Sequence, residues 1–137
     1  MAPRNISFFN AYARAILLAA HRSHPALAAM DYEEITGERR GAAMPVAHAF
    51  ARQTALWLLD EGLVRGEANA DGVAVGLSAK GLSALGADCD PKIWRGDWRE
   101  ALAAGASPDL IDRYMSRFLE AFARETARPE PMENDEA

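Results

Sequence analysis

The sequence predicts a mainly α-helical fold with a small β-hairpin, arranged as a winged helix-turn-helix with a C-terminal helical extension. Three consecutive patterns between Met44 and Leu85 carry this prediction. A helical pattern is followed by two short strand patterns joined by a tight turn, and a second, shorter helix comes next. This order of elements indicates a winged helix.

The central helix is predicted over residues 45–61. Pro45 suits its first turn, because the missing N–H would have no intrahelical partner there. Gly62 can adopt the left-handed conformation that ends a helix.

The hairpin is predicted from residues 63–68 and 73–77. The Asp71-Gly72 pair between them favours a tight hairpin turn. Ser78 can cap the next helix by accepting a backbone N–H. Two leucines of that helix are expected to close over the hairpin, Leu82 and Leu85.

The N-terminal part adds two helices. The first is predicted over residues 5–21 with Asn5 as its cap, and it ends before Pro25. Its apolar stripe is interpreted as core and consists of Ile6, Phe9, Ala13, Ile16 and Ala20. A short helix follows at residues 31–36, with Asp31 as cap and Glu34 in the capping-box position.

The C-terminal part is predicted to contain two more helices, capped by Asp97 and by Ser107. Trp94 and Trp98 are expected to anchor this part to the body. The last helix carries a stripe of large apolar residues: Leu110, Ile111, Tyr114, Met115, Phe118, Leu119 and Phe122. The stripe either folds back on the first helix or pairs with its twofold mate. We favour a homodimer, because seven large residues exceed what a small body must absorb.

The chain is accordingly divided into a winged-helix domain (residues 1–87), a connector with C-terminal helices (88–128) and a disordered acidic tail (129–137). The net charge of −5 is concentrated in that tail. The last nine residues contain four acids and no base, which leaves −1 for residues 1–128. A nearly neutral body neither supports nor excludes DNA binding, since a local basic patch decides it.

Apolar runs in the sequence are short. The longest, Ala15 to Ala20, falls below the length of a membrane span or of a signal-peptide core. Cys89 is the only cysteine, which excludes an intrachain disulfide. A cytoplasmic bacterial protein that does not engage membranes is the expectation.

The segments LLDEGLVRGE and VAVGLSAKGLSAL resemble the helix, wing and following helix of bacterial winged-helix regulators such as the MarR and PadR families. The chain is also similar to short proteobacterial and phage proteins in which a Trp-Leu pair, here Trp57 and Leu58, precedes the acidic end of that helix. One departure is the segment ITGERRGAAMP, which stands where DNA-binding members have a short turn. It leaves open whether the central helix is presented to a major groove.

Six residues are candidates for DNA contact, because arginine can pair with guanine and glutamine with adenine. They are Arg39, Arg40, His48, Arg52, Gln53 and Arg65. Their number is low, and the hairpin tip offers Asp71 and no base. A solvated helix face is an equally good interpretation.

Catalytic and metal-binding signals are weak. His21, His24, His48 and Cys89 lack metal-ligand spacing. Asp88 and Asp90 flank Cys89 and disfavour its thiolate. We therefore expect no enzyme activity, no metal and no cofactor.

Two functions stay open at this point. The first is a DNA-binding transcriptional regulator with duplex DNA as its partner. The alternative is a winged helix used as a protein-interaction module, an inhibitor or adaptor without DNA binding. The regulator needs its arginines on one face, whereas the module needs an exposed apolar patch.

Overall fold

The computed structural model describes residues 3–37, 46–70, 72–104 and 107–127. These residues form a mainly helical fold with a small antiparallel sheet, as the sequence predicts. The elements in chain order are α1 (Arg4–Ser23), β1 (Ala28–Ala29), α2 (Tyr32–Thr36), α3 (Val46–Glu61), β2 (Val64–Asn69), β3 (Gly72–Leu77), α4 (Ala79–Gly86), α5 (Trp98–Ala104) and α6 (Pro108–Ala127).

The helix caps predicted at Ser78 and Asp97 are present. The Ser78 hydroxyl accepts the Gly81 N–H at 2.9 Å. Asp97 and Glu100 form a reciprocal capping box, in which each side chain accepts the other residue's backbone N–H, at 2.8 and 3.0 Å. Gly62 ends α3 with a φ of 86°, the left-handed conformation that glycine adopts without steric cost.

Two local predictions are wrong. Helix α1 begins at Arg4 with Pro3 as its N-cap, and no side chain caps it, so Asn5 lies inside the helix. Leu85 is buried as predicted, but Leu82 is 38% exposed. Helix α4 spans only two turns, and its neighbours cover one of the two leucines.

A third strand, β1, has no counterpart in the sequence prediction. Its two alanines pair with Val75 and Ala74 of β3, so the sheet has the order β1-β3-β2. Neither alanine favours a strand by itself. The pairing exists because the chain leaving α1 runs beside β3, where the Met30 N–H donates to the Val73 carbonyl at 2.9 Å.

One hydrophobic core joins the N-terminal and C-terminal parts of the described chain. Ile16 and Leu17 of α1 share it with Leu102 of α5, and all three are at most 1% exposed. Trp98 is buried against Phe118, with ring centroids 5.7 Å apart, and Trp94 is half-buried at the edge of the core. Both tryptophans therefore anchor the C-terminal part as predicted.

Helix α6 packs along α1 through apolar and polar contacts. The Asp112 carboxylate accepts from the Ser7 hydroxyl at 2.7 Å and from the Asn10 side-chain amide at 3.1 Å. Arg14 of α1 donates to the carbonyls of Leu102 and Ala103 at the end of α5. These bonds fix α1 and α6 side by side. Within the described residues, no helix has the length and apolar character that crossing a membrane requires.

Candidate interaction surface

The apolar stripe of α6 is largely used inside the chain. Met115, Phe118 and Phe122 are at most 8% exposed in the single chain, so for these three the assignment to a dimer interface is corrected. They are buried because α6 folds back on α1 and α5, the alternative that the sequence left open. The remaining four residues of the stripe are half-buried: Leu110, Ile111, Tyr114 and Leu119.

The solvent-facing side of α3 is where a recognition helix would meet DNA. Six residues in the described helix are exposed: Val46, Ala49, Gln53, Trp57, Asp60 and Glu61. They comprise two acids, one polar and one small side chain, two large apolar side chains and no lysine or arginine. Phosphate contacts by lysine or arginine dominate DNA affinity, so this face is poorly suited to a duplex.

His48 does not lie on that side. It is only 1% exposed, and its ring stacks on Tyr32 of α2 with centroids 5.7 Å apart. The prediction that His48 is exposed for base contact is therefore wrong. Gln53 follows five residues later, which rotates its side chain by about 140° on a helix of 3.6 residues per turn. The His48 side chain accordingly points into the protein and the Gln53 side chain points to solvent.

The other DNA-contact candidates are dispersed. Arg52 is half-buried on the flank of α3. Arg65 is exposed on β2, and its guanidinium donates to the Pro25 carbonyl in the turn after α1. Arg39 and Arg40 lie outside the described residues. Among the described residues, the candidates that are exposed, Gln53 and Arg65, thus lie on different elements. They do not form a cluster of basic side chains on one face.

An apolar groove lies between the N-terminal half of α1 and the C-terminal half of α3, and we call it the α1–α3 groove. Its volume is about 710 Å³. Five apolar residues line it: Ile6, Phe9, Phe50, Leu56 and Trp57. Four polar residues complete the lining: Asn5, Gln53, Thr54 and Asp60. A concave surface that is mainly apolar by area and carries polar groups at its edges is typical of a binding site.

The side chains of the groove are held in place by aromatic contacts. The Trp57 ring meets Phe9 edge to face, with centroids 5.0 Å apart. Phe50 meets Tyr12 at 5.9 Å, and Phe8 lies 6.4 Å from Phe50. Such ring pairs add to the free energy of packing, so the groove is preformed rather than created by a ligand.

Large apolar side chains remain exposed at the groove. Ile6 and Trp57 line the groove and are each 41% exposed; outside its lining, Phe8 is 41% exposed and Val46 at the start of α3 is 86% exposed. Ile6 is therefore not core, contrary to the sequence prediction, because α6 meets the first turns of α1 on the side of Ser7 and Asn10 and leaves the side of Ile6 open. An exposed apolar patch of this kind marks an interaction surface.

Sequence reasoning missed the groove, although one signal for it is present. Phe8 and Phe9 are adjacent, and neighbouring residues on a helix point about 100° apart, so a single covering surface cannot bury both. On α3, the rings of Phe50 and Trp57 are only partly covered by α1, which leaves the groove open between the two helices.

Cys89 lies in the connector between α4 and α5. It is 4% exposed, and its backbone N–H donates to the Gly96 carbonyl at 2.8 Å. Burial is the largest cause that raises the pKa of the Cys89 thiol; the negative charge of Asp90 also raises it, and backbone hydrogen bonds of Asp90 and Trp94 offset part of the rise. The thiol is therefore protonated at neutral pH, chiefly because it is buried, and of the two flanking aspartates only Asp90 contributes.

We predict that Cys89 of the native protein reacts with Ellman's reagent about 10²-fold or more slowly than Cys89 of the denatured chain, because opening of the connector must precede reaction. The reaction is followed by absorbance at neutral pH with and without guanidinium chloride. Reaction of the native protein as fast as a free thiol would contradict this placement.

Among the described residues, no group of three or more His, Cys, Asp or Glu side chains is placed to hold a metal ion. No family model, curated protein or solved structure matches this chain. Function is therefore argued from the surface itself.

Proposed function

We propose that this chain is a winged helix that acts as a protein-interaction module, binding a partner protein through the α1–α3 groove without catalysing a reaction. The order helix, strand, helix, helix, strand, strand from α1 to β3 supports the winged-helix assignment. The exposed apolar groove is the observation that carries the proposed function.

The balance of surface residues favours this function over DNA binding. The exposed side of α3 offers Val46 and Trp57, together with the acid Asp60. A helix that reads DNA instead presents basic side chains and hydrogen-bonding groups there. Burying apolar surface is favourable at roughly 25 cal/mol per Å². A protein partner gains this free energy at the groove, whereas a phosphate backbone does not.

A DNA-binding transcriptional regulator is the second candidate. Exposed Gln53 and exposed Arg65 favour it, because α3 and the β2–β3 hairpin are the elements that a winged helix uses on DNA. Arg39 and Arg40 precede α3 in sequence and lie outside the described residues. A homodimer also stays a prediction; sedimentation velocity at micromolar concentration measures it directly.

The distinguishing experiment is fluorescence anisotropy of a labelled random-sequence duplex at low and at physiological salt. We expect no binding at micromolar protein even at low salt, because the exposed side of α3 carries no lysine or arginine. Micromolar binding that collapses as the salt concentration rises would reveal phosphate contacts and would support the regulator instead.

A second arm tests the groove. The wild-type protein, the variant Trp57→Asp and the control variant Arg117→Asp, changed on the exposed side of α6, are immobilised and compared for what they retain from cells of the source organism. We expect a protein retained by wild type and control but lost with Trp57→Asp. Retention of the same proteins by all three would contradict a role of the groove.

A further inference from the structure

We infer that the α1–α3 groove takes an amphipathic α-helix of the partner protein, with large apolar side chains along one face and a lysine or arginine beside Asp60. This inference rests on the proposed function, because it specifies the chemistry of that partner. It follows from three features of the groove: its walls, its charge and its preformed apolar floor.

The walls of the groove are two helices, α1 and α3. Apart from the N–H groups in the uncapped first turn of α1, the backbone N–H and C=O groups of these walls are bonded within their helices, so the groove offers no sheet edge along which a strand could pair. An extended peptide buried there would leave its own amides unpaired, which costs about 1–3 kcal/mol for each group. A helix satisfies its backbone internally, and the groove therefore favours a helical ligand over a strand.

The charge around the groove is negative at the end formed by α3. Asp60 is the one charged side chain among the described residues that line the groove, and exposed Glu61 follows it. The last turn of α3 contains no basic residue. The partial negative charge at the carbonyl end of α3 is opposed by the partial positive charge at the N-terminus of α1, which also borders the groove, so the attraction rests on the carboxylates of Asp60 and Glu61. A cation on the ligand is therefore attracted to this end.

The floor is suited to apolar anchors at helical spacing. Phe9 and Trp57 meet edge to face at 5.0 Å and Ile6 lies beside them, so rigid side chains shape the floor. A helix lays residues i, i+3 or i+4, and i+7 into such a groove. About 710 Å³ lies in the range of 300–1,000 Å³ that is usual for ligand sites.

Helix α6 of a second copy of this chain does not supply such a ligand. The exposed side of α6 carries charged residues in place of apolar anchors: Arg113, Arg117, Glu120 and Arg124. The groove itself exposes the large apolar residues Ile6 and Trp57. Self-association through the groove is a separate outcome, which sedimentation velocity of the wild-type protein and of Trp57→Asp detects.

The experiment is a selection from a displayed library of short helical peptides, in which all outward positions vary and proline is allowed at one of them. We expect the peptides that bind the full chain to share two or three large apolar residues at spacings of three or four, to exclude proline from the helix, and to carry Lys or Arg at one end. Synthetic versions should gain helicity by circular dichroism when they bind.

Three variants locate the site and its charge. Gln53→Lys places a cation in the groove at an exposed position that folding tolerates, and it should weaken binding of a selected peptide at least about fivefold. Asp60→Lys combined with Glu61→Lys should reverse the preference, so that the same selection returns acidic peptides. Asp109→Lys, an exposed acid at the start of α6, is the matched control and should change affinity less than twofold.

The outcomes separate this inference from the proposed function. If selected peptides contain proline or bind in an extended conformation, and Gln53→Lys still weakens their binding, the ligand is not a helix. If they lack a basic residue, the charge preference is wrong. Either result would leave the groove as a protein-binding site. Failure to select any peptide whose binding depends on Gln53 would overturn the inference. A concentration-dependent dimer abolished by Trp57→Asp would assign the groove to a second copy and would overturn it as well. Duplex binding in the anisotropy assay, in contrast, would overturn the proposed function.

Discussion

Replacing Phe118 by alanine should lower the free energy of unfolding by about 3–5 kcal/mol. The ring is 1% exposed and packs against Trp98 in the core that joins α1, α5 and α6. Alanine would remove the ring's burial and leave a cavity between three helices. A domain of this size has a total free energy of unfolding of about 5–15 kcal/mol, so the folded variant should be only marginally stable at 37 °C. Urea unfolding followed by far-UV circular dichroism measures the loss.

Arg117→Ala is the matched control, because it changes the neighbouring but exposed position of α6. Its free energy of unfolding should stay within about 0.5 kcal/mol of wild type. The comparison also tests the fold-back arrangement of α6. If the stripe instead served a dimer, Phe118→Ala would change the sedimentation coefficient and its stability would depend on protein concentration.

Replacing Gly81 by alanine should cost at least about 2 kcal/mol of stability. A Cβ atom at this position would lie 2.0 Å from the Leu63 carbonyl oxygen, which is backbone. The same carbonyl accepts the Ser78 N–H at 3.2 Å and the Ser78 hydroxyl at 3.0 Å, so it cannot move without loosening the cap of α4. Alanine is the better helix former, and a loss of stability here therefore reports the close approach of α4 to the hairpin.

Gly86→Ala is its control on the same helix. No atom lies within 4 Å of a Cβ built there, and the residue is the last of α4. This variant should be unchanged or more stable by up to about 0.5 kcal/mol, since alanine favours the helix. In thermal melts, the melting temperature of Gly81→Ala should fall, whereas that of Gly86→Ala should rise or stay unchanged. Equal destabilisation of both would mean that α4 does not approach Leu63 as closely as described.

Local chemistry in the sequence determined most of the elements. The caps at Ser78 and Asp97 and the helix end at Gly62 involve residues at most three positions apart or a single backbone conformation. The apolar stripe of α6 likewise determined that one face of this helix must be covered, because its seven large residues recur at helical spacing.

Only the tertiary structure decided what covers each surface and what stays exposed. The two alanines of β1 pair because β3 lies beside them, and His48 is buried because α2 packs its Tyr32 on that side of α3. The α1–α3 groove exists because α6 covers α1 while no described element covers the first turns of α1 beside α3. Periodicity shows that a helix has an apolar face, but whether a neighbour reaches that face depends on contacts between residues far apart in the chain.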